Sequence, residues 1–334
     1  MTAASAHRRA VFTGTLYALA AGLMWGLVFI VPTLLAEYSA ALLTVGRYLA
    51  FGLIALPLAW WDRARLAQLT RADWLEALKL SAVGNLLYYL CLAAAIQRAG
   101  GPLPTMIIGT LPVVIAVTAR LRGARAGMRV VARLPWGQLL PSLLLIALGI
   151  GLVNHVELRH LQQDPQADIG RYLLGGLLAV GAVACWTWYP IRNSEWLRAH
   201  PDRSPRSWAT AQGLATLPLA VIGYAGFWLW CLVVSYPFEM PFGPRAADFL
   251  LLMFSIGLFA SWLGTLCWNE ASQRLPPTLA GQLIVFETLA ALAYALWLRG
   301  QALAPETLAG VALLVAGVVW ALRARPAEPA ANLT

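Results

Sequence analysis

Residues 266–287 read LCWNEASQRLPPTLAGQLIVFE, and an earlier stretch, residues 90–112, reads LCLAAAIQRAGGPLPTMIIGTLP. Aligned at an offset of 176 positions, five residues coincide within nine, and the register continues beyond them. The coinciding pairs are Leu90/Leu266, Cys91/Cys267, Ala95/Ala271, Gln97/Gln273 and Arg98/Arg274, followed by Leu103/Leu279 and Ile108/Ile284. Matches of leucine and alanine are common in an apolar chain, but a shared Cys and a shared Gln-Arg pair indicate an internal duplication.

The composition is that of a protein that lies within a membrane. Of the 334 residues, 60% are hydrophobic and only 12% are charged, whereas soluble domains carry about 25% charged residues. The net charge of +9 comes mainly from arginines that lie between apolar runs. We therefore expect a lipid bilayer around the chain and no nucleic acid as a partner.

Ten apolar segments are each long enough to cross a bilayer, which takes about 20 residues. They run over 12–35, 40–61, 74–97, 102–121, 134–154, 171–191, 207–235, 247–271, 276–298 and 303–323. A helix satisfies all its backbone polar groups without a partner segment, so each span is predicted to be helical. The predicted fold class is an all-α membrane protein with ten transmembrane helices.

The distribution of arginine between the loops predicts the orientation. With the N-terminus in the cytoplasm, seventeen arginines fall on the cytoplasmic side and five on the outer side. Cytoplasmic loops are enriched in basic residues, so both termini are predicted to be cytoplasmic.

The duplication and the span count together predict an inverted repeat. Each half, 12–154 and 171–323, holds five spans, and an odd number forces the second half to enter the membrane in the opposite direction. Transporters often have this symmetry, with the solute site near the midplane where the halves meet.

Several motifs resemble the EamA-like family of the drug/metabolite transporter superfamily. They are AAGLMWGLVFI (20–30), GRYLAFGL (46–53), LLLIALGIGLV (143–153), AVACWTWYP (182–190) and LAGVALLVAGVVW (308–320). The resemblance implies a ten-span, inner-membrane transporter that moves metabolites, amino acids or toxic compounds, mostly outward. The chain departs from the family in dividing its Glu-Pro pair between the halves, because Pro112 lacks the Glu and Glu287 lacks the Pro.

Glu287 is the first candidate site residue. It lies about 16 Å into the ninth span, given a helical rise of about 1.5 Å per residue. A carboxyl group at that depth usually faces a bundle interior or a water-filled cavity. It is either a group that binds protons or a cationic solute, or a structural hydrogen-bond acceptor.

Other polar and aromatic residues lie deep in the spans. Asn85 shares a helix face with Tyr88 and Tyr89, a strip suited either to a cavity wall or to hydrogen bonding between helices. Gln282 lies more than one turn before Glu287 and faces another direction. The indoles of Trp25, Trp186 and Trp262 could form aromatic walls for a solute or ordinary packing contacts.

Arg47 and Lys79 are also placed within spans, but nearer their ends. Long basic side chains can extend to the interface while their alkyl parts stay buried. We therefore expect neither to lie near Glu287.

These observations predict a secondary transporter of a small organic solute, with protons as the candidate coupling ion. The sequence contains no G-x-x-x-x-G-K-[ST] phosphate-binding loop, and no cofactor or metal is expected. The alternative is a membrane-embedded enzyme or a lipid-handling protein. All four histidines (7, 155, 160 and 200) lie outside the spans, which disfavours intramembrane catalysis.

Overall fold

A computed structural model of the chain describes residues 3–115, 117–118, 136–163, 168–275, 279–280, 283–299 and 305–323. Every regular element in these ranges is helical, which confirms the all-α prediction. An apolar chain in hydrocarbon has no water to bond its backbone, and a helix provides those bonds internally.

The helices of the first half are α1 (Ala3–Gly26), α2 (Val31–Leu34), α3 (Ala40–Leu66), α4 (Arg71–Leu80), α5 (Tyr88–Ala99), α6 (Pro102–Ile108) and α7 (Trp136–Gln163). Those of the second half are α8 (Ile169–Ala199), α9 (Pro205–Val234), α10 (Ala246–Ile256), α11 (Gly264–Arg274), α12 (Val285–Arg299) and α13 (Pro305–Arg323).

Six helical stretches are long and apolar enough to cross a membrane: Arg8–Leu34, Ala40–Leu66, Arg71–Ala99, Ile169–Ala199, Pro205–Val234 and Ala246–Arg274. They coincide with the first three spans and with the sixth to eighth. Shorter apolar helices, Leu103–Ile115, Leu140–Leu152, Val285–Ala295 and Pro305–Gly317, lie where the other four spans are expected. Apolar side chains are exposed on the long helices, with Leu177 67% and Val233 76% exposed, as expected of a surface that contacts lipid.

Two spans contain a wider π-helical segment. π-segment A is Ser81–Leu87, between α4 and α5, and π-segment B is Gly257–Leu263, between α10 and α11. The two segments have the same length and begin 176 residues apart, which is the offset of the sequence match. Such segments are rare in helices and are frequent at functional sites.

The helices of the two halves pack against each other. The main contacts join α3 to α9, α7 to α13, α5 to α8, and α1 to both α11 and α12. Among the described glycines, the tightest is Gly84 of π-segment A, where a Cβ atom would lie 2.2 Å from the ring of Tyr189 on α8. Glycine is therefore required there by the proximity of the two elements.

Candidate functional site

A small cavity lies between the two halves at the centre of the bundle. Its volume is about 10 Å³, which is enough for about one water molecule. The first half contributes Trp25, Val28, Arg47, Tyr48, Asn85 and Tyr88, and the second contributes Trp186, Ala260, Ser261, Thr265 and Glu287. The cavity is thus lined almost equally from both halves, and its lining includes one basic and one acidic side chain.

Glu287 lies on α12 and is 1% exposed. Its Oε1 accepts a hydrogen bond from the hydroxyl of Tyr88 at 3.3 Å, and its Oε2 accepts one from Nε1 of Trp186 at 3.2 Å. Both donors are neutral, so they orient the carboxyl group without neutralising it. A buried charge costs free energy unless it is paired, so the carboxylate is a candidate binding group for a cationic part of a solute.

Arg47 lies on α3 and is 4% exposed, so the expectation that it reaches the membrane interface is wrong. Its Nε donates to Oγ of Ser261 at 3.0 Å, and its guanidinium lies 4.5 Å from the ring centroid of Tyr89 and 4.9 Å from that of Tyr48. Its Nη1 is buried with no hydrogen-bond partner in the described part of the chain. Lys79, by contrast, has a side chain that is 54% exposed.

The two buried charges line one cavity but do not touch. Within the described residues, no ion pair or hydrogen bond joins Arg47 directly to Glu287. Opposite charges in a poorly polarisable interior attract each other strongly, and each offsets part of the other's cost of burial. The arrangement leaves a positive group and a negative group available on different walls of the cavity.

Aromatic rings surround these charges. Trp186 stacks on Tyr88 at 4.5 Å between centroids and on Tyr189 at 5.0 Å, and its edge meets Trp25 at 5.0 Å. Trp25 donates from Nε1 to the backbone oxygen of Ala260, in π-segment B, at 2.9 Å. The rings fix the positions of Tyr88 and Trp186, and through them the position of the Glu287 carboxyl group.

The structure brings together Glu287, Asn85, Tyr88, Trp25 and Trp186, five of the residues singled out in the sequence. Tyr89 contacts the site through its ring beneath Arg47, while its hydroxyl lies 3.5 Å from the backbone oxygen of Val28. Trp262 lies elsewhere and donates to Oγ1 of Thr210 at 3.2 Å. Gln282 is outside the described residues.

Sequence reasoning missed Arg47, Tyr48, Ser261 and Thr265. A signal for Ser261 was present, because it lies 176 residues after Asn85, which is the offset of the sequence match. Asn85 itself donates from Nδ2 to Oγ1 of Thr216 at 3.3 Å. Both π-segments thus contribute a polar side chain to the cavity.

Buried polar contacts lie at the end of the bundle predicted to face the cytoplasm. Asn193 is fully buried, donates to Oδ1 of Asn269 at 2.8 Å, and accepts from Nε1 of Trp208 at 2.8 Å. Between the halves, Trp196 donates from Nε1 to Oδ1 of Asp73 at 2.9 Å.

At the other end of the bundle, Arg245 of the second half bonds to residues of the first half. Its guanidinium donates to a side-chain oxygen of Glu37 at 3.2 Å and to the backbone oxygen of Leu34 at 2.9 Å.

Comparisons with known proteins agree with this architecture. Residues 12–154 match the model of the EamA-like transporter family. The chain is 53% identical over 319 residues to inner membrane protein YtfF of Escherichia coli (strain K12), and the match covers 96% of this chain and 98% of that protein. It also shares its fold with a crystal structure that is 17% identical, with a TM-score of 0.64 and coverage of 92% of this chain and 96% of the other.

Proposed function

Because the chain belongs to the EamA-like transporter family, we propose that it is an inner-membrane secondary transporter that exports a small zwitterionic solute in exchange for protons. The observation that carries the proposal is the central cavity, where Arg47 and Glu287 offer opposite charges without pairing directly. Trp25, Trp186, Tyr88 and Asn85 complete the proposed binding site.

Alternating access between two inverted five-span repeats, 12–154 and 171–323, is the proposed transport mechanism. Three features support it. π-segments A and B begin 176 residues apart, which is the offset of the sequence match. Trp25 contacts Trp186, its counterpart in the resembling motifs. In the proposed repeat, α5 corresponds to α11 and α8 corresponds to α1. The contact between α5 and α8 is accordingly matched by a contact between α11 and α1.

The charges of the cavity define the proposed solute class. A carboxylate of the solute would accept hydrogen bonds from the free Nη1 of Arg47, and an ammonium group would donate to Glu287. Charge-assisted hydrogen bonds of this kind are stronger than neutral ones. A solute with one charge would leave the opposite buried charge without a partner, which costs free energy. We therefore propose small zwitterions, such as neutral amino acids.

Competition at Glu287 supplies the proposed coupling. A proton and an ammonium group would bind the same carboxylate, so occupancy by one excludes the other. A transporter whose site changes from one side of the membrane to the other only with a proton or the solute bound exchanges protons for solute. The cavity of about 10 Å³ has no room for such a solute, so loading requires one end of the bundle to open.

The alternative of a membrane-embedded enzyme has less support. In the described part of the chain, no cluster of three His, Cys, Asp or Glu residues could hold a metal ion. The polar side chains of the cavity include no nucleophile paired with a histidine. A solute-binding role accounts for both buried charges of the cavity.

Counterflow in proteoliposomes tests the proposal. Purified protein should exchange labelled neutral amino acids, and exchange should fail for matched amines and carboxylic acids that carry one charge. Arg47→Gln should lower exchange about tenfold or more, because it removes a charge-assisted hydrogen bond. Lys79→Gln is the matched control, since its side chain is exposed. Equal exchange of singly charged analogues would contradict the zwitterion site, and no exchange of any solute would contradict transport.

A further inference from the structure

A second cavity lies at the end of the bundle predicted to face the cytoplasm, between the last turn of α3 and the first turn of α9. Its volume is about 280 Å³, which is enough for several water molecules. None of its lining residues is shared with the central cavity. The lining includes the exposed residues Arg65, Gln68 and Asp202 and the buried indoles of Trp196 and Trp208. The cavity therefore reaches from the protein surface to buried aromatic rings.

A continuous chain of buried hydrogen bonds joins the two cavities. It begins at Asn85, which lines the central cavity and donates from Nδ2 to Oγ1 of Thr216 at 3.3 Å. Thr216 donates to the backbone oxygen of Gln212 at 2.7 Å, and Nε2 of Gln212 donates to Oδ1 of Asn193 at 3.2 Å. The same Oδ1 accepts the bond from Nε1 of Trp208, which lines the second cavity.

The chain lies between the two halves of the protein. Its first member, Asn85, belongs to π-segment A, and Ser81 of the same segment donates to the backbone oxygen of Gln212 at 3.1 Å. Thr216, Gln212 and Asn193 belong to the second half and are fully buried. Polar side chains deep in a transmembrane bundle are costly and commonly mark the pathway of a solute or an ion.

Asn193 is the branch point of the chain. Its Oδ1 accepts from both Trp208 and Gln212, and its Nδ2 donates to Oδ1 of Asn269. An indole nitrogen can only donate, so the bond from Trp208 fixes the orientation of the Asn193 amide. Asn193 lies seven residues after Trp186 on α8, or about 10 Å nearer the cytoplasmic end at about 1.5 Å per residue. It therefore lies between the central cavity and the second one.

We propose that the second cavity is the cytoplasmic vestibule of the solute pathway and that Asn193 is the gate residue between the vestibule and the central cavity. The proposal rests on the alternating-access transport proposed above. When this end of the bundle opens, Asn193 separates from Trp208 and Gln212, and its amide bonds to water or to the passing solute. Exchanging bonds within the protein for bonds to water changes the free energy little. Opening an apolar gate would instead expose apolar surface to water.

Cysteine accessibility tests the gate without any solute. In a variant without the native cysteines, Thr265→Cys places a thiol in the lining of the central cavity. A negatively charged methanethiosulfonate reagent is too large for the cavity of about 10 Å³, so it reacts only while one end of the bundle is open. The reaction rate is measured from each side, in inside-out and right-side-out vesicles. A separate Ala67→Cys variant, exposed at the end of α3, identifies the side on which the vestibule lies.

Asn193→Ala should raise the reaction rate from the vestibule side about tenfold, because the closed state loses hydrogen bonds that water replaces in the open state. The rate from the other side should not rise. Trp208→Phe keeps an aromatic ring to stack on Trp196 and removes one N–H donor, so it should raise the same rate by a smaller factor. This milder variant decides the test if Asn193→Ala does not fold.

Thr210→Val is the matched control on α9. Thr210 is fully buried and accepts a hydrogen bond from Nε1 of Trp262, so its loss also leaves an indole without an acceptor, but it is not a member of the chain. The ratio of the two rates should be unchanged in this variant. An equal rise in Thr210→Val would overturn the proposal, because any loss of a buried hydrogen bond would then open the protein. An unchanged ratio in both Asn193→Ala and Trp208→Phe would also overturn it.

The outcome is separable from that of the proposed function because no solute is present during labelling. The expected labelling in a protein that exchanges no zwitterion would contradict the proposed solute and support the gate. Normal zwitterion exchange in a protein whose labelling ratio does not respond to Asn193→Ala or Trp208→Phe would contradict the gate alone.

Discussion

The indole rings of Trp25 and Trp186 meet edge to face, with centroids 5.0 Å apart and an interplanar angle of 80°. In the inverted repeat that we propose, the two residues are counterparts, and a residue that touches its own counterpart lies beside the axis relating the halves. A pseudo-two-fold axis would therefore pass through the central cavity, between Arg47 and Glu287 on its walls. The proposed solute site would lie on that axis, where both halves can reach it.

An in-plane axis requires the loops of the two halves to lie on opposite sides of the membrane, which cysteine labelling can test. In a variant without the four native cysteines, Asp168→Cys should react with an impermeant maleimide added outside cells. Ala67→Cys should react only after the membrane is permeabilised. Both positions are exposed, and the expectation follows from the seventeen-to-five division of arginine between the loops.

The reverse labelling pattern would invert the orientation but keep the repeats antiparallel. Reaction of both positions from one side would contradict the inverted repeat. The labelling signal of each variant is divided by its total labelling in detergent, which corrects for differences in the intrinsic reactivity of the two cysteines.

Close packing at π-segment A gives a prediction about stability. Gly84→Ala should destabilise the protein by about 1–3 kcal/mol, because the added methyl group overlaps the ring of Tyr189. Since Tyr189 also stacks on Trp186, the displacement should reach the central cavity and lower transport as well. Thermal unfolding in detergent measures the first effect, and solute counterflow measures the second.

Gly226→Ala is the matched control within α9, because a Cβ atom there meets nothing within 4 Å. It should be neutral or slightly stabilising, since alanine favours helix more than glycine does. Equal stability of the two variants would show that the approach of Tyr189 to π-segment A is looser than 2.2 Å implies.

The positions of the spans could be predicted from the sequence because hydropathy is a property of consecutive residues. All six helices with clear spanning character fall on predicted spans, and four shorter apolar helices fall on the rest. The depth of Glu287 along the ninth span was predicted from the same span bounds. The π-segments could not be predicted in this way, since a widened turn has no distinct composition.

Arg47 shows what a linear argument omits. Its distance from the end of the span suggested a side chain that reaches water, but depth along a helix does not specify the direction of a side chain. The pairing of α3 with α9 and π-segment B encloses Arg47 and provides Ser261 as its partner. Trp262 is the opposite case, a deep aromatic residue that packs on Thr210 and not in the cavity.

Glu287 carries the prediction about energy coupling. An ionised carboxylate in a dry interior costs several kcal/mol even near a cation, and its two donors, Tyr88 and Trp186, are neutral. The site should therefore change from one side of the membrane to the other only when Glu287 has bound either a proton or the ammonium group of the solute. In proteoliposomes, the parent protein should accumulate solute in the more acidic compartment, because protons leave as solute enters.

Glu287→Gln preserves the shape of the side chain and removes its titration, so accumulation driven by a pH gradient should be lost. Exchange at equal pH should survive with KM raised about tenfold, because the ammonium group still finds a neutral oxygen acceptor. Glu287→Asp should keep part of the gradient response. Glu306→Gln, at the exposed start of α13, is the control and should behave as the parent. If Glu287→Gln responds to the gradient as the parent does, Glu287 is a structural hydrogen-bond acceptor. Coupling would then have to reside in another carboxylate, with Glu270, which pairs with Arg274, the next to substitute.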